Sequence, residues 1–119
     1  LAITMPGIID TDSGMAYSAG IYRFIRNEPL AREISEYTGM KTIILNDAKA
    51  AALAEVGYGS LKGVHTGVMV MLLGTGIGGA IIHDGKIFNG AHFGAGEFSY
   101  LTDSTQRATD NSDMFALSC

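Results

Sequence analysis

An apolar run, Val68-Met69-Val70-Met71-Leu72-Leu73, passes directly into Gly74-Thr75-Gly76-Ile77-Gly78-Gly79, and from there into a second apolar run, Ala80-Ile81-Ile82. This order reads as strand, glycine loop, strand. It restricts the chain to folds in which a loop of that kind joins two neighbouring strands. Four glycines in six residues let backbone N–H groups turn inward and approach an anion, because no Cβ blocks left-handed φ or close contact. Phosphate is the expected guest.

The surroundings separate the glycine loops that could claim this stretch. Gly74, Gly76 and Gly79 fit the dinucleotide spacing G-x-G-x-x-G, but that site aims a helix N-terminus at the pyrophosphate, and no helical period follows here. A Walker A loop needs lysine and a hydroxyl after its last glycine, where this chain has Ala80 and Ile81. A protein-kinase loop would be followed by H-R-D and D-F-G segments, and neither occurs after Gly79. A tight glycine hairpin without a ligand stays open as an alternative.

Upstream, Thr42-Ile43-Ile44-Leu45 has the β-branched, apolar character of a buried strand, and Ala48 to Glu55 are strong helix formers. Asn46 and Asp47 stand at the junction. Either could be an N-cap. A carboxylate at the carboxyl end of an α/β strand also lies where ligands bind in such sheets. There it can take the proton of a hydroxyl attacking a phosphoryl group, while the neighbouring amide holds the substrate. Because phosphoryl transfer depends on positioning, the worth of Asp47 would lie in its geometry. Downstream, small residues in Gly90-Ala91-His92-Phe93-Gly94-Ala95-Gly96 bring the backbone close to a neighbour, and Glu97 stands among them, either as an early-helix acid or as a ligand contact.

Taken together, Asn46-Asp47-Ala48-Lys49-Ala50-Ala51-Ala52-Leu53-Ala54-Glu55, Leu73-Gly74-Thr75-Gly76-Ile77-Gly78-Gly79 and Gly94-Ala95-Gly96-Glu97 resemble the ROK family of bacterial sugar kinases and sugar-responsive repressors. Met5-Pro6-Gly7-Ile8-Ile9-Asp10 is similar to that family's P-G-x-x-D segment. The resemblance implies an α/β, actin-like ATPase (ribonuclease H-like) fold, here incomplete and spanning parts of two lobes, with ATP and sugar in the cleft. It implies Asp47 as catalytic base, Asn46 and Glu97 as partners of sugar hydroxyls, and Gly7 packed against the sugar. Gly74, Thr75, Gly76, Gly78 and Gly79 would belong to the second phosphate loop, with Mg accompanying the ATP. The activity implied is phosphorylation of a hexose, N-acetylhexosamine or β-glucoside hydroxyl. The alternative is a sugar-responsive repressor whose DNA-binding region is not in this chain. A homodimer of the full-length protein and a cytoplasmic location are further expectations of the resemblance.

Two departures stand out. Family members with a structural zinc have a histidine three residues after the glutamate, where this chain has Tyr100, and they add a cysteine cluster further on. Here Cys119 is the single cysteine, and His65, His83 and His92 show no ligand spacing. Tyr100 would take the place of that histidine as a sugar contact, since a phenol still donates a hydrogen bond.

Twelve acidic against eight basic residues argue against a nucleic-acid surface on this segment, and no apolar run approaches the ~20 residues of a membrane span. The remaining pattern predicts a strand over 1–5, a ribbon around 8–10 and 15–18, and a helix over 29–38 with Leu30, Ile34 and Tyr37 on one face. It then predicts strand 41–45, helix 47–56, strands 68–73 and 79–83, and a turn at Asp84-Gly85 into Lys86-Ile87-Phe88. The glycine-spotted connector 57–67 suggests a lobe boundary at 62/63, with 1–62 carrying the catalytic aspartate and 63–119 the phosphate loop and Glu97. Residues 102–113 read as a polar loop, with a helix starting near Asp113. A first residue other than methionine and an end at the start of a helix suggest the middle portion of a longer kinase. Tyr100 and the single cysteine generate one expectation. Elemental analysis of the purified full-length protein should give well under one zinc per chain, and chelator should leave its melting temperature unchanged. Stoichiometric zinc would overturn it.

Overall fold

The structure is a computed structural model and describes residues 1–74 and 76–100. The polar segment at 102–113, the helix expected near Asp113, Thr75 and Cys119 lie outside the described residues. The chain forms two compact units that divide inside a helix, the first ending at Ala50 and the second beginning at Ala51.

The first unit is built on two parallel strands, β1 (Ala2–Met5) and β4 (Ile43–Asn46), aligned so that Ala2 faces Ile43 and Met5 faces Asn46. Parallel strands need a long crossover. Here the crossover holds a two-residue ribbon, β2 (Ile9–Asp10) against β3 (Met15–Ala16), followed by helix α1 (Leu30–Thr38). Both ribbon strands are shorter than the sequence suggested. Asp10 closes the turn between them, its carboxylate accepting the N–H groups of Asp12 and Ser13 and the hydroxyl of Ser13. The Ser13 hydroxyl bond above all lowers the Asp10 pKa, so this contribution to stability is present above the ordinary carboxylate range and is lost as pH falls through the lowered value.

Helix α1 begins one residue after Pro29, whose carbonyl accepts the N–H groups of Arg32 and Glu33, and ends where Gly39 turns left-handed. Its buried side is centred on Ala31, with Leu30 packed against the core and Ile34 and Ser35 half-buried, so of the expected face Leu30, Ile34 and Tyr37 only Tyr37 is left out. Ser35 Oγ donates to Ala31 O and accepts the Thr42 N–H, tying the helix to the entry of β4. Tyr37 falls off that stripe and is 93% exposed. The core of the unit comprises Met5, Ile9, Ala16, Ala19, Ala31 and Ile44.

Helix α2 (Asp47–Gly57) follows β4 without a break, and the division between the units falls within it. This lies upstream of the 62/63 boundary expected from the glycine-spotted connector. The physical reason is packing, since Ala52 and Val56 belong to the same apolar cluster as Val68, Ala80 and Ile82. In this second unit β5 (Val68–Leu73), β6 (Ile77–His83) and β7 (Lys86–Ile87) form an antiparallel meander. Leu73 pairs with Ile77, and Gly78 and Gly79 become ladder residues opposite Leu72 and Met71. A short 3-10 turn, Phe98–Tyr100, packs on β6.

Ile44 is fully buried immediately ahead of the Asn46-Asp47 junction. Ile44→Val is expected to cost about 0.5–1.5 kcal/mol and Ile44→Ala about 2–5 kcal/mol in the full-length protein, because the second leaves a cavity in a small core. Thermal melts of both variants check this, and equal melting temperatures would contradict the packing.

Candidate functional site

The Met5–Asn46 register brings the carboxyl ends of β1 and β4 side by side, so the chain leaves the pair at Pro6-Gly7 and at Asp47 on the same edge. That edge is where open parallel sheets bind ligands. The Asn46 side chain fastens the two exits together. Its Nδ2 donates to Gly7 O at 3.0 Å, and its Oδ1 accepts the Lys49 N–H at 3.0 Å, three residues into the helix. Asn46 is therefore the N-cap, and it is only 3% exposed. The amide keeps a second N–H and a second lone pair, the capacity required for a sugar hydroxyl.

Asp47, the first residue of α2, is exposed at this edge, and its Oδ1 accepts the Ala48 N–H at 2.8 Å. That short local bond limits the carboxylate's rotation while leaving it accessible.

Gly7 has φ +110°, and a Cβ there would fall 2.6 Å from the Ser18 carbonyl carbon and 2.7 Å from Ala19 Cα. No side chain fits between the two backbones. Ser18 Oγ completes the contact by accepting the Ile8 N–H at 3.1 Å. The structure thus joins three expected site residues, Gly7, Asn46 and Asp47, and adds two that the sequence reading did not single out. Ser18 is one. Lys49 is the other, 1% exposed in the first turn of α2. A charged residue inside an alanine run could have drawn attention to it, since alanines allow the close packing that buries their neighbours.

In the second unit the expected phosphate loop is smaller than the motif. Gly74 and Gly76 occupy the hairpin, with the Gly74 N–H donating to Gly76 O at 3.0 Å, and that donor is committed within the loop. Gly78 and Gly79 lie in β6. The physical reason is register: once Leu73 and Ile77 pair, the ladder continues through both glycines. Glu97 is half-buried after a sharply wound segment, its N–H donating to Gly94 O at 3.2 Å. Tyr100 ends the 3-10 turn three residues on. Among the described residues no three His, Cys, Asp or Glu side chains group as a metal site, and no helix is long and apolar enough to cross a membrane.

The chain is similar to proteins of known family along most of its length. The sequence model of the ROK family matches residues 1–107. A β-glucoside kinase of Klebsiella pneumoniae is 39% identical, with 87% of this chain aligned to 35% of that protein. The DNA-binding transcriptional repressor Mlc of Escherichia coli is 30% identical, with 75% of this chain aligned to 22% of that protein. The crystal structure of a ROK family glucokinase from Streptomyces griseus, in complex with glucose and AMPPNP, superposes with a TM-score of 0.71 at 32% identity. It covers 83% of this chain and 31% of that one. The chain spans about a third of the length of the curated relatives it matches. Its two units are parts of the α/β, actin-like ATPase fold of the ROK sugar kinases among its structural neighbours. With that family's model matching 107 of its 119 residues, the chain belongs to the ROK family.

Proposed function

We propose that the full-length protein is an ATP-dependent sugar kinase that phosphorylates a hydroxyl of a hexose, an N-acetylhexosamine or a β-glucoside. The observation that carries this reading is the joint presentation of Gly7, Asn46 and Asp47 at the carboxyl edge of β1 and β4, held by one buried amide. In the reaction the Asp47 carboxylate accepts the proton of the sugar hydroxyl as that oxygen bonds to the γ-phosphorus of ATP. The bond from that phosphorus to the β,γ-bridging oxygen breaks, and ADP leaves. Asn46 and Glu97 hold sugar hydroxyls, each of which needs a partner once buried. Gly7 lets the backbone lie against the ring, and Tyr100 stands where zinc-bearing relatives have a histidine.

Gly74 and Gly76 belong to the turn that meets the nucleotide phosphates. With the Gly74 N–H committed to Gly76 O, the remaining amides of the hairpin and the start of β6 are the donors for phosphate. Magnesium would arrive on the ATP phosphates and would offset their charge during the transfer. The protein acts in the cytoplasm as a homodimer in this reading, and size-exclusion chromatography with light scattering reads the assembly.

A sugar-responsive repressor is the second reading, favoured by the 30% identity to Mlc. An accessible Asp47 favours catalysis, because a sensor has no need of a base.

Two measurements test the proposal. Sugar-dependent ADP release by the full-length protein, surveyed across hexoses, N-acetylhexosamines and β-glucosides, should single out one class. No release with any sugar, together with specific DNA binding, would favour the repressor. In the active protein Asp47→Asn keeps size and removes basicity, so turnover should fall by at least about a hundredfold while sugar affinity changes little. Turnover within a few-fold of the parent would rule out Asp47 as the base.

A further inference from the structure

The sequence motif assigns Gly79 to the phosphate loop, yet β6 takes Gly79 into its ladder opposite Met71. What surrounds it is the segment that carries Glu97. A Cβ on Gly79 would collide with the Phe98 ring and lie 2.8 Å from Gly96 O. From the other side, Gly96 has φ +87°, and a Cβ there would lie 2.8 Å from Ala80 Cα and 3.1 Å from Gly79 O. The segment is thus held against β6 on both sides of Glu97, by backbone contact at Gly96 before it and by the Phe98 ring after it. The Phe98 ring, 9% exposed, fills the space that the missing Gly79 side chain leaves.

The rest of the segment is wound to meet this contact. The Ala95 N–H donates to Asn89 O at 3.1 Å, and the Phe98 N–H donates to Gly96 O at 2.9 Å. Gly90, Phe93 and Gly96 all hold positive φ, which is costly for a residue as bulky as Phe93. Strain of that size persists only where the surroundings fix the backbone. Here they fix the height of Glu97 along β6.

Resting on the sugar-kinase reading above, we infer that Gly79 and Phe98 are positioning residues for the sugar: by clamping the backbone on both sides of Glu97 they set that carboxylate, and Gly79 serves the sugar rather than the nucleotide phosphates. A displacement of about 1 Å at a hydrogen-bonding carboxylate is enough to weaken a binding site strongly.

The test uses the full-length protein with Gly79→Ala and Phe98→Ala, singly and together, and reads sugar KM, ATP KM and sugar affinity by calorimetry. Each single variant should raise the sugar KM by about tenfold or more and leave the ATP KM within about twofold. The double variant should lose less than the product of the single losses, since both act at one contact. A raised ATP KM with unchanged sugar KM would return Gly79 to the phosphate loop and overturn the inference, as would strictly multiplicative losses. If Gly79→Ala does not fold, Phe98→Leu, which keeps an apolar side chain on β6, should still raise the sugar KM selectively, and parallel changes in both KM values would overturn the inference. A wild type that binds sugar without turnover defeats the kinase reading alone, and the calorimetric affinities then decide the positioning claim by the same criteria. A wild type that binds no sugar defeats both.

Discussion

A single buried amide organises the first unit. Asn46 donates to Gly7 O and accepts from the Lys49 N–H, so one side chain ties the exit of β1 to the start of α2. Removing it would leave a carbonyl and a helix N–H without their partners in a nearly closed environment, and such orphaned groups cost about 1–3 kcal/mol each. The same bonds set the spacing between Gly7 and the exposed carboxylate of Asp47. Stability and site geometry therefore rest on the same atoms. An Asn fits here because an amide supplies a donor and an acceptor on two separate atoms, whereas an ionised Asp only accepts and a Ser hydroxyl must do both from one oxygen.

The second unit solves a comparable problem with absent side chains. Glu97 sits on an irregular segment, and such segments are held precisely only when something rigid supports them. The support is β6, whose Gly79 admits the Phe98 ring and whose Ala80 lies under Gly96. Two glycines from different parts of the chain thus allow two backbones to touch. In the first unit Gly7 makes the equivalent approach to Ser18 and Ala19. Each approach lies beside a residue proposed to meet the sugar, so close backbone contact recurs where the ligand would need a firm wall.

Much of the corner around Asn46 could be read from the residues. The alternation from Thr42-Ile43-Ile44-Leu45 to the alanine-rich run marked a strand followed by a helix, and it placed Asn46 and Asp47 at the junction. The choice of cap was open, because Asn and Asp both serve as N-caps; register and reach selected Asn46, whose Oδ1 meets the Lys49 N–H. Where the glycine run passes from loop to strand was open to within two residues, because glycine is compatible with both; the strand expected from residue 79 begins at Ile77, since Leu73 pairs with Ile77. The apolar face expected of α1 holds at Leu30, which packs on the core, and fails at Tyr37. Periodicity locates a stripe to within a residue or so, and the Ser35 hydroxyl between Ala31 and Thr42 shifted it away from Tyr37.

The sequence alone determined the order of elements, the nature of the turn residues and the family to which the chain belongs, because these depend on local preference and on short motifs. Tertiary structure decided that Asn46 is a bridge as well as a cap, that Lys49 and Ser18 take part in the same corner, and that Gly79 faces Phe98 rather than a loop. Each of these is a contact between residues distant in the chain or a consequence of strand register. The free energy of such contacts comes from burial and hydrogen bonding, and no local pattern in the residues encodes their geometry.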